Sequence, residues 1–110
     1  MDNDLEVKKE VGPESVKITI AGRIYSSNAD LLEMHLGKTL GEKQFNIVLN
    51  MSQVEYISSI GIRVILKTFL DARKAGGKLE IEMPSAEVRK VLKIAALDQM
   101  LIQPTAQGNT

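Results

Sequence analysis

The chain has 110 residues, enough for one domain around a single core and too few for two of ordinary size. Apolar residues at 44% and charged residues at 25% fit a globular protein, and the formal net charge is zero with lysine and arginine scattered. That composition excludes the basic stripe that nucleic-acid binding needs, and the absence of cysteine excludes disulfides and thiolate metal sites. A signal-peptide core and a membrane-length apolar run are also missing, so a cytoplasmic protein with neither membrane nor nucleic acid as partner is expected.

In chain order, "DLEVKK" reads as a short first strand, with "GPES" as the turn into a second. In "VKITIAG", Val16, Ile18 and Ile20 alternate with Lys17 and Thr19, the period of a strand with one buried face. From Ser27 the period lengthens: Ala29, Leu32, Leu36 and Leu40 predict a helix over about 27 to 40, capped by Ser27, with Asp30 near its positive end. "FNIVLNM", residues 45 to 51, is a nearly continuous apolar run, predicting a central strand covered on both faces, and "SQVEY" reads as the loop after it.

Helical spacing returns over 59 to 75, where Ile62, Ile65, Leu66, Phe69 and Ala72 share one side and "AGG" supplies the stop. "KLEIEM" alternates as a further strand ended by Pro84. Ser85 can then cap a third helix whose buried stripe is Val88, Val91, Leu92 and Ala95. "MLIQ" predicts a last short strand before a polar tail over 104 to 110. Strands alternating with helices imply parallel pairing, and the amino-terminal hairpin makes the sheet mixed. The expected fold is a single α/β domain over 4 to 103.

In such a fold, ligands gather at the carboxyl ends of strands, which draws attention to "VEYISSIGIRVIL". Two adjacent hydroxyls, Ser58 and Ser59, stand where a helix begins, and either can cap it. No histidine or lysine is placed in sequence as a base for a serine nucleophile, and a single glycine is far from a phosphate cradle, so no enzyme is expected. At about 100° per residue, Arg63, Lys67, Asp71 and Lys74 mark the solvent side of the helix, with Ile60 and Val64 projecting among them as a docking surface. His35 reads as a partly exposed filler, Glu55 as a solvated loop carboxylate, and Met51, Met83 and Met100 as core. No cofactor or metal is expected.

The run "FNIVLNMSQVEYISSIGIRVIL", together with "VKITIAGRI", "AGGKLEI" and "VRKVLKIAALDQMLIQ", resembles the STAS family, in particular its stand-alone bacterial anti-sigma-factor antagonists. The resemblance implies a small mixed sheet of four to five strands flanked by helices, and a non-catalytic, monomeric partner-switching regulator. It places Ser59 on the family's phosphorylated serine, Gly61 on its glycine, Ser58 on an aspartate and Ile60 on a usually small residue. Ser58 is the alternative acceptor. Arg23 with Tyr25 stand where the family often has acidic residues, and Asn50 where an aspartate is frequent.

The partners implied are an ATP-binding serine kinase that is also an anti-sigma factor, and a PP2C-type phosphatase. The implied contact surface is Ser58, Ile60, Gly61, Arg63, Val64 and Lys67. A second reading from the same resemblance is a non-switching subunit of a lipid-transport or stress-sensing complex.

Overall fold

Alternating Val16, Ile18 and Ile20 are all buried in β2 (Val16–Ile24), and they set the plane on which the rest of the chain packs. A computed structural model describes residues 4–102. β1 (Leu5–Val11) pairs antiparallel with β2, and β2, β3 (Asn46–Ile57) and β4 (Lys78–Pro84) run parallel, giving the order β1-β2-β3-β4. The helices are α1 (Ala29–Gly41), α2 (Ser59–Lys74), α3 (Ala86–Ile94) and the single turn α4 (Asp98–Leu101). The mixed α/β architecture is therefore the one expected. No helix among the described residues is long and apolar enough to cross a membrane.

One hydrophobic core joins the sheet to its helices. Ile47, Leu49 and Met51 of β3 and Leu79 and Ile81 of β4 meet Leu32 and Leu36 of α1, Ile65 and Phe69 of α2, and Val88 and Leu92 of α3. Burial follows alternate strand positions, because successive side chains point to opposite faces. Lys17, Val48, Glu80 and Glu82 lie on the other, partly open face, where Lys17 pairs with Glu82 at 3.5 Å. The expectation that β3 is covered on both faces is thus corrected: Val48 and Asn50 are only half-buried. β3 is central all the same, between β2 and β4.

β3 also runs through "SQVEY", where the sequence predicts a loop. Its buried residues there are Met51, Val54 and Ile57, spaced by three, because the pairing with β2 shifts register between Thr19 and Ala21 and again after Gly22. A bulge of this kind breaks the period of two. Gly22 takes a positive φ of 104°, and a side chain there would run into the Asp4 carbonyl, which accepts from Arg23 N at 2.7 Å. Only glycine sits comfortably in that position.

Smaller departures have local causes. α1 starts at Ala29 with Asn28, not Ser27, at its cap position, and the Asn28 side chain turns back to accept from Tyr25 N at 2.8 Å and donate to Arg23 O at 3.1 Å. Ser85 does cap α3, its Oγ accepting from Val88 N at 3.1 Å. Ala95 is exposed, since α3 ends at Ile94 and Ala95 is its C-cap. Met100 and Leu101 belong to α4, so the last short strand reduces to one bridge, Ile102 to Ile81; Gln103 and the tail over 104 to 110 lie outside the described residues. Met51 is in the core, but Met83 and Met100 are each 48% exposed.

Candidate functional site

The end of β3 turns into α2 within two residues, and backbone pairing determines what each serine does. Ser58 N donates to Ile24 O at 2.8 Å, which extends the β2–β3 register by one step and draws Ser58 inward. Its φ and ψ of −79° and 166° are extended, as an N-cap requires, and its Oγ accepts from Gly61 N at 3.1 Å. Ser58 is 8% exposed. The cap therefore belongs to Ser58, and Ser59, the first residue of α2, is exposed at the positive end of the helix.

Gly61 follows inside the first turn and is buried. A Cβ there would stand 2.7 Å from Ile24 Cγ2 and 2.9 Å from Ile57 Cγ1, so the residue lets α2 approach the carboxyl ends of β2 and β3 closely. Of the surface expected beside the serines, Ile60 is 41% exposed and Arg63 and Lys67 are exposed. Val64 is not. At 7% exposure it joins the core, a correction whose cause is the packing of α1 against α2, which widens the buried arc of the helix beyond the side that faces the sheet. At about 100° per residue, Val64 stands only about 40° from Ile60, on the inner side of that boundary.

Four side chains from the neighbouring strand ends complete the site. Arg23 is the register partner of Tyr56 across the parallel pair, and Tyr25 packs its ring 5.6 Å from that of Tyr56, tilted by 39°. Arg23 Nη2 pairs with Glu55 Oε1 at 3.1 Å. Hydrogen bonding to Tyr25, then the nearby Tyr25 and Glu55, holds the guanidinium above its usual proton affinity. Glu55 is solvent-exposed as expected, but it lies in a strand, not a loop, and is ion-paired. Sequence reasoning pairs Arg23 with Tyr25 and treats Glu55 separately, but misses Tyr56 and the cluster; the available signal is that parallel neighbours bring their carboxyl ends together.

Asn50 and Ser52 do not join the site. Asn50 Oδ1 accepts from Ser52 N at 3.0 Å and Ser52 Oγ at 2.8 Å on the open face of the sheet, about 20 Å of strand from Ser59. His35 is half-buried in α1, with no part in the arrangement. The described residues contain no group of three or more histidines, cysteines and carboxylates able to hold a metal ion. What the geometry presents is an exposed hydroxyl at a helix start, followed by a branched apolar residue, with an aromatic and charged cluster at the carboxyl ends of the two inner strands.

Comparison with known proteins gives a consistent picture. The STAS domain family model matches residues 4–108. BtrV of Bordetella bronchiseptica, a candidate anti-sigma factor antagonist, is 32% identical over 76 residues, which span 69% of this chain and 66% of that protein, just under two thirds of its length. The crystal structure of an anti-sigma factor antagonist from Mycobacterium paratuberculosis superposes with a TM-score of 0.82 at 20% identity, covering 97% of this chain and 92% of the other. The Bacillus cell fate determinant SpoIIAA in its phosphorylated form superposes with a TM-score of 0.70 at 17% identity, covering 94% of both chains.

Proposed function

This chain belongs to the STAS domain family, and on that premise we propose that it is an anti-sigma factor antagonist controlled by phosphorylation of Ser59. In this reading the unmodified protein binds an ATP-binding serine kinase that doubles as an anti-sigma factor, the phosphorylated protein releases it, and a PP2C-type phosphatase restores the first state. The protein itself acts by binding and performs no catalysis.

The observation that carries the reading is the division between the two serines. Ser58 is consumed by the cap and by its bond to Ile24, whereas Ser59 offers its hydroxyl to solvent one residue later. A phosphate adds about −1.5 to −2 charges and three acceptor oxygens. At the first helical residue, that charge meets the positive end of α2, where an anion is stabilised by about 0.3–1 kcal/mol, so the fold persists. Its effect then falls on the complex. Burying an unpaired charge between Ile60 and a partner costs several kcal/mol, and each 1.4 kcal/mol is tenfold in affinity. A fold shared with a protein solved in a phosphorylated form is in keeping with this.

The test is the affinity of an anti-sigma kinase for wild type, Ser59→Ala and Ser59→Asp, with phosphopeptide mass spectrometry to locate the added phosphate. Wild type and Ser59→Ala are expected to bind alike and Ser59→Asp at least tenfold more weakly. Equal binding by all three removes the switch and leaves a static subunit; a mass increase on Ser58 moves the acceptor.

A further inference from the structure

The outer face of α2 differs in charge from the rest of the chain. Over the whole sequence 14 basic residues balance 14 acidic ones. Yet the shallow groove along this helix is floored by Leu66 and Leu70 and rimmed by the cations Arg63, Lys67, Arg73 and Lys74, with Asp71 the sole carboxylate among its lining residues. Leu70 is 48% exposed. The cations are weakly compensated: Lys67 reaches Glu33 of α1 only at 3.9 Å, with both side chains more than half exposed, and Arg73 lies over the Phe69 ring at 5.7 Å. Exposed pairs of that length contribute little.

The groove also lines up with Ser59. Counting along α2 from Ser59, Arg63 follows at four residues, Leu66 at seven and Leu70 at eleven, a spacing that places all four within one stripe of the helix surface. From Ser59 to Lys74 the stripe runs about 22 Å. We propose that this stripe is the docking site for an acidic amphipathic helix of a partner protein, with apolar side chains seated on Leu66 and Leu70 and carboxylates paired to the flanking cations. The proposal deepens the switching reading by naming the partner's chemistry. Charge complementarity selects the acidic partner. The small apolar floor selects a protein over an anionic membrane, since an interfacial helix needs a broad apolar face to sink into lipid. A helix lying on the stripe passes over Ser59, where a phosphate repels its carboxylates and draws Arg63, four residues on, away from them.

The probe is a synthetic blocked peptide of about 16 residues, long enough to cover the stripe, with leucines spaced three and four apart between glutamates. It is titrated into the isotope-labelled protein and followed by amide chemical shifts. Shifts confined to residues 59 to 74, weakened at least tenfold in Lys67→Glu/Lys74→Glu and in Leu70→Lys, and weakened as salt rises from about 50 to about 300 mM, are the expected result. Circular dichroism checks that these surface variants are folded. Scattered or absent shifts, equal binding of a peptide with lysines in place of the glutamates, stronger binding to phosphatidylglycerol vesicles, or self-association that covers the face would each overturn the proposal. Ser59→Asp separates the two readings. If the peptide binds in the stripe but ignores Ser59→Asp, the groove stands and the switch fails; if a kinase partner responds to Ser59→Asp but not to the double lysine variant, the switch stands and the groove fails.

Discussion

Ser58 Oγ lies 3.1 Å from the amide nitrogen of Gly61, and this hydrogen bond gives two adjacent, chemically identical side chains different duties. A buried cap of this type contributes about 1 kcal/mol. Ser58→Ala is therefore expected to lower the melting temperature by several degrees, while Ser59→Ala, on the exposed side, stays within about 0.5 kcal/mol of wild type. Thermal denaturation of the two single variants reads the difference directly. Equal losses in both would mean that the cap is shared.

Gly22 carries a second constraint. Its positive φ and the Asp4 carbonyl beneath it leave no room for a Cβ, and the same turn of chain delivers Arg23 to Glu55 and Tyr25 to Tyr56. Gly22→Ala combines a left-handed strain of about 1–2 kcal/mol with a backbone clash that parts the end of β1 from β2. A total loss above about 2 kcal/mol in chemical denaturation is expected, with faster amide exchange at Arg23, whose N–H bonds Asp4 O. A variant as stable as wild type would show that the bulge relaxes freely.

Ile60 and Val64, four residues apart on α2, fall on opposite sides of the burial boundary. Truncating Val64 to alanine removes buried methyl groups from the core and is expected to cost about 1–3 kcal/mol, whereas Ile60→Ala stays within about 0.5 kcal/mol. Partner affinity should show the reverse order, falling for Ile60→Ala and changing for Val64→Ala only through stability. Parallel denaturation and binding measurements check both halves; a stability loss at Ile60 equal to that at Val64 would contradict the boundary.

Much of this architecture is legible in local pattern. The alternation in β2 and β4, the leucine stripe of α1 and the Ser85 cap depend on neighbours within a few residues, so periodicity finds them. What escapes local pattern depends on pairing between distant segments. β3 hides its length because its register with β2 shifts, turning the buried spacing from two to three over Met51, Val54 and Ile57. The roles of Ser58 and Ser59 are undecided until Ser58 N meets Ile24 O, and the Tyr25–Tyr56 and Arg23–Glu55 contacts exist only once β2 and β3 lie in parallel. Val64 reads as solvent-facing on a lone helix and is buried because α1 covers that side.

The contact between β1 and the end of α1 makes a prediction about acid stability. Lys9 Nζ donates to Glu42 Oε1 at 2.9 Å and to Thr39 Oγ1 at 3.2 Å, and the Lys9 hydrogen bond, then its charge, hold the Glu42 carboxyl below the ordinary value of 4.5. Because the folded-state affinity for the proton is reduced, the unfolded chain binds more protons as the solution is acidified, and stability must rise with pH across this range. The contribution is present above 4.5 and disappears as pH falls through the lower folded value. Lys9→Met removes the cause while keeping a long side chain beside Thr39, which is buried and still donates to His35 O at 3.0 Å. Melting temperatures of wild type and Lys9→Met, measured from neutral pH down to about pH 3, should differ most at neutral pH and converge in acid. Both partners are substantially solvent-accessible, so added salt should narrow the gap at neutral pH. A gap between the two proteins that stays constant across the acid range would show that the Glu42 pairing contributes nothing and that Lys9 acts through its hydrogen bond to Thr39.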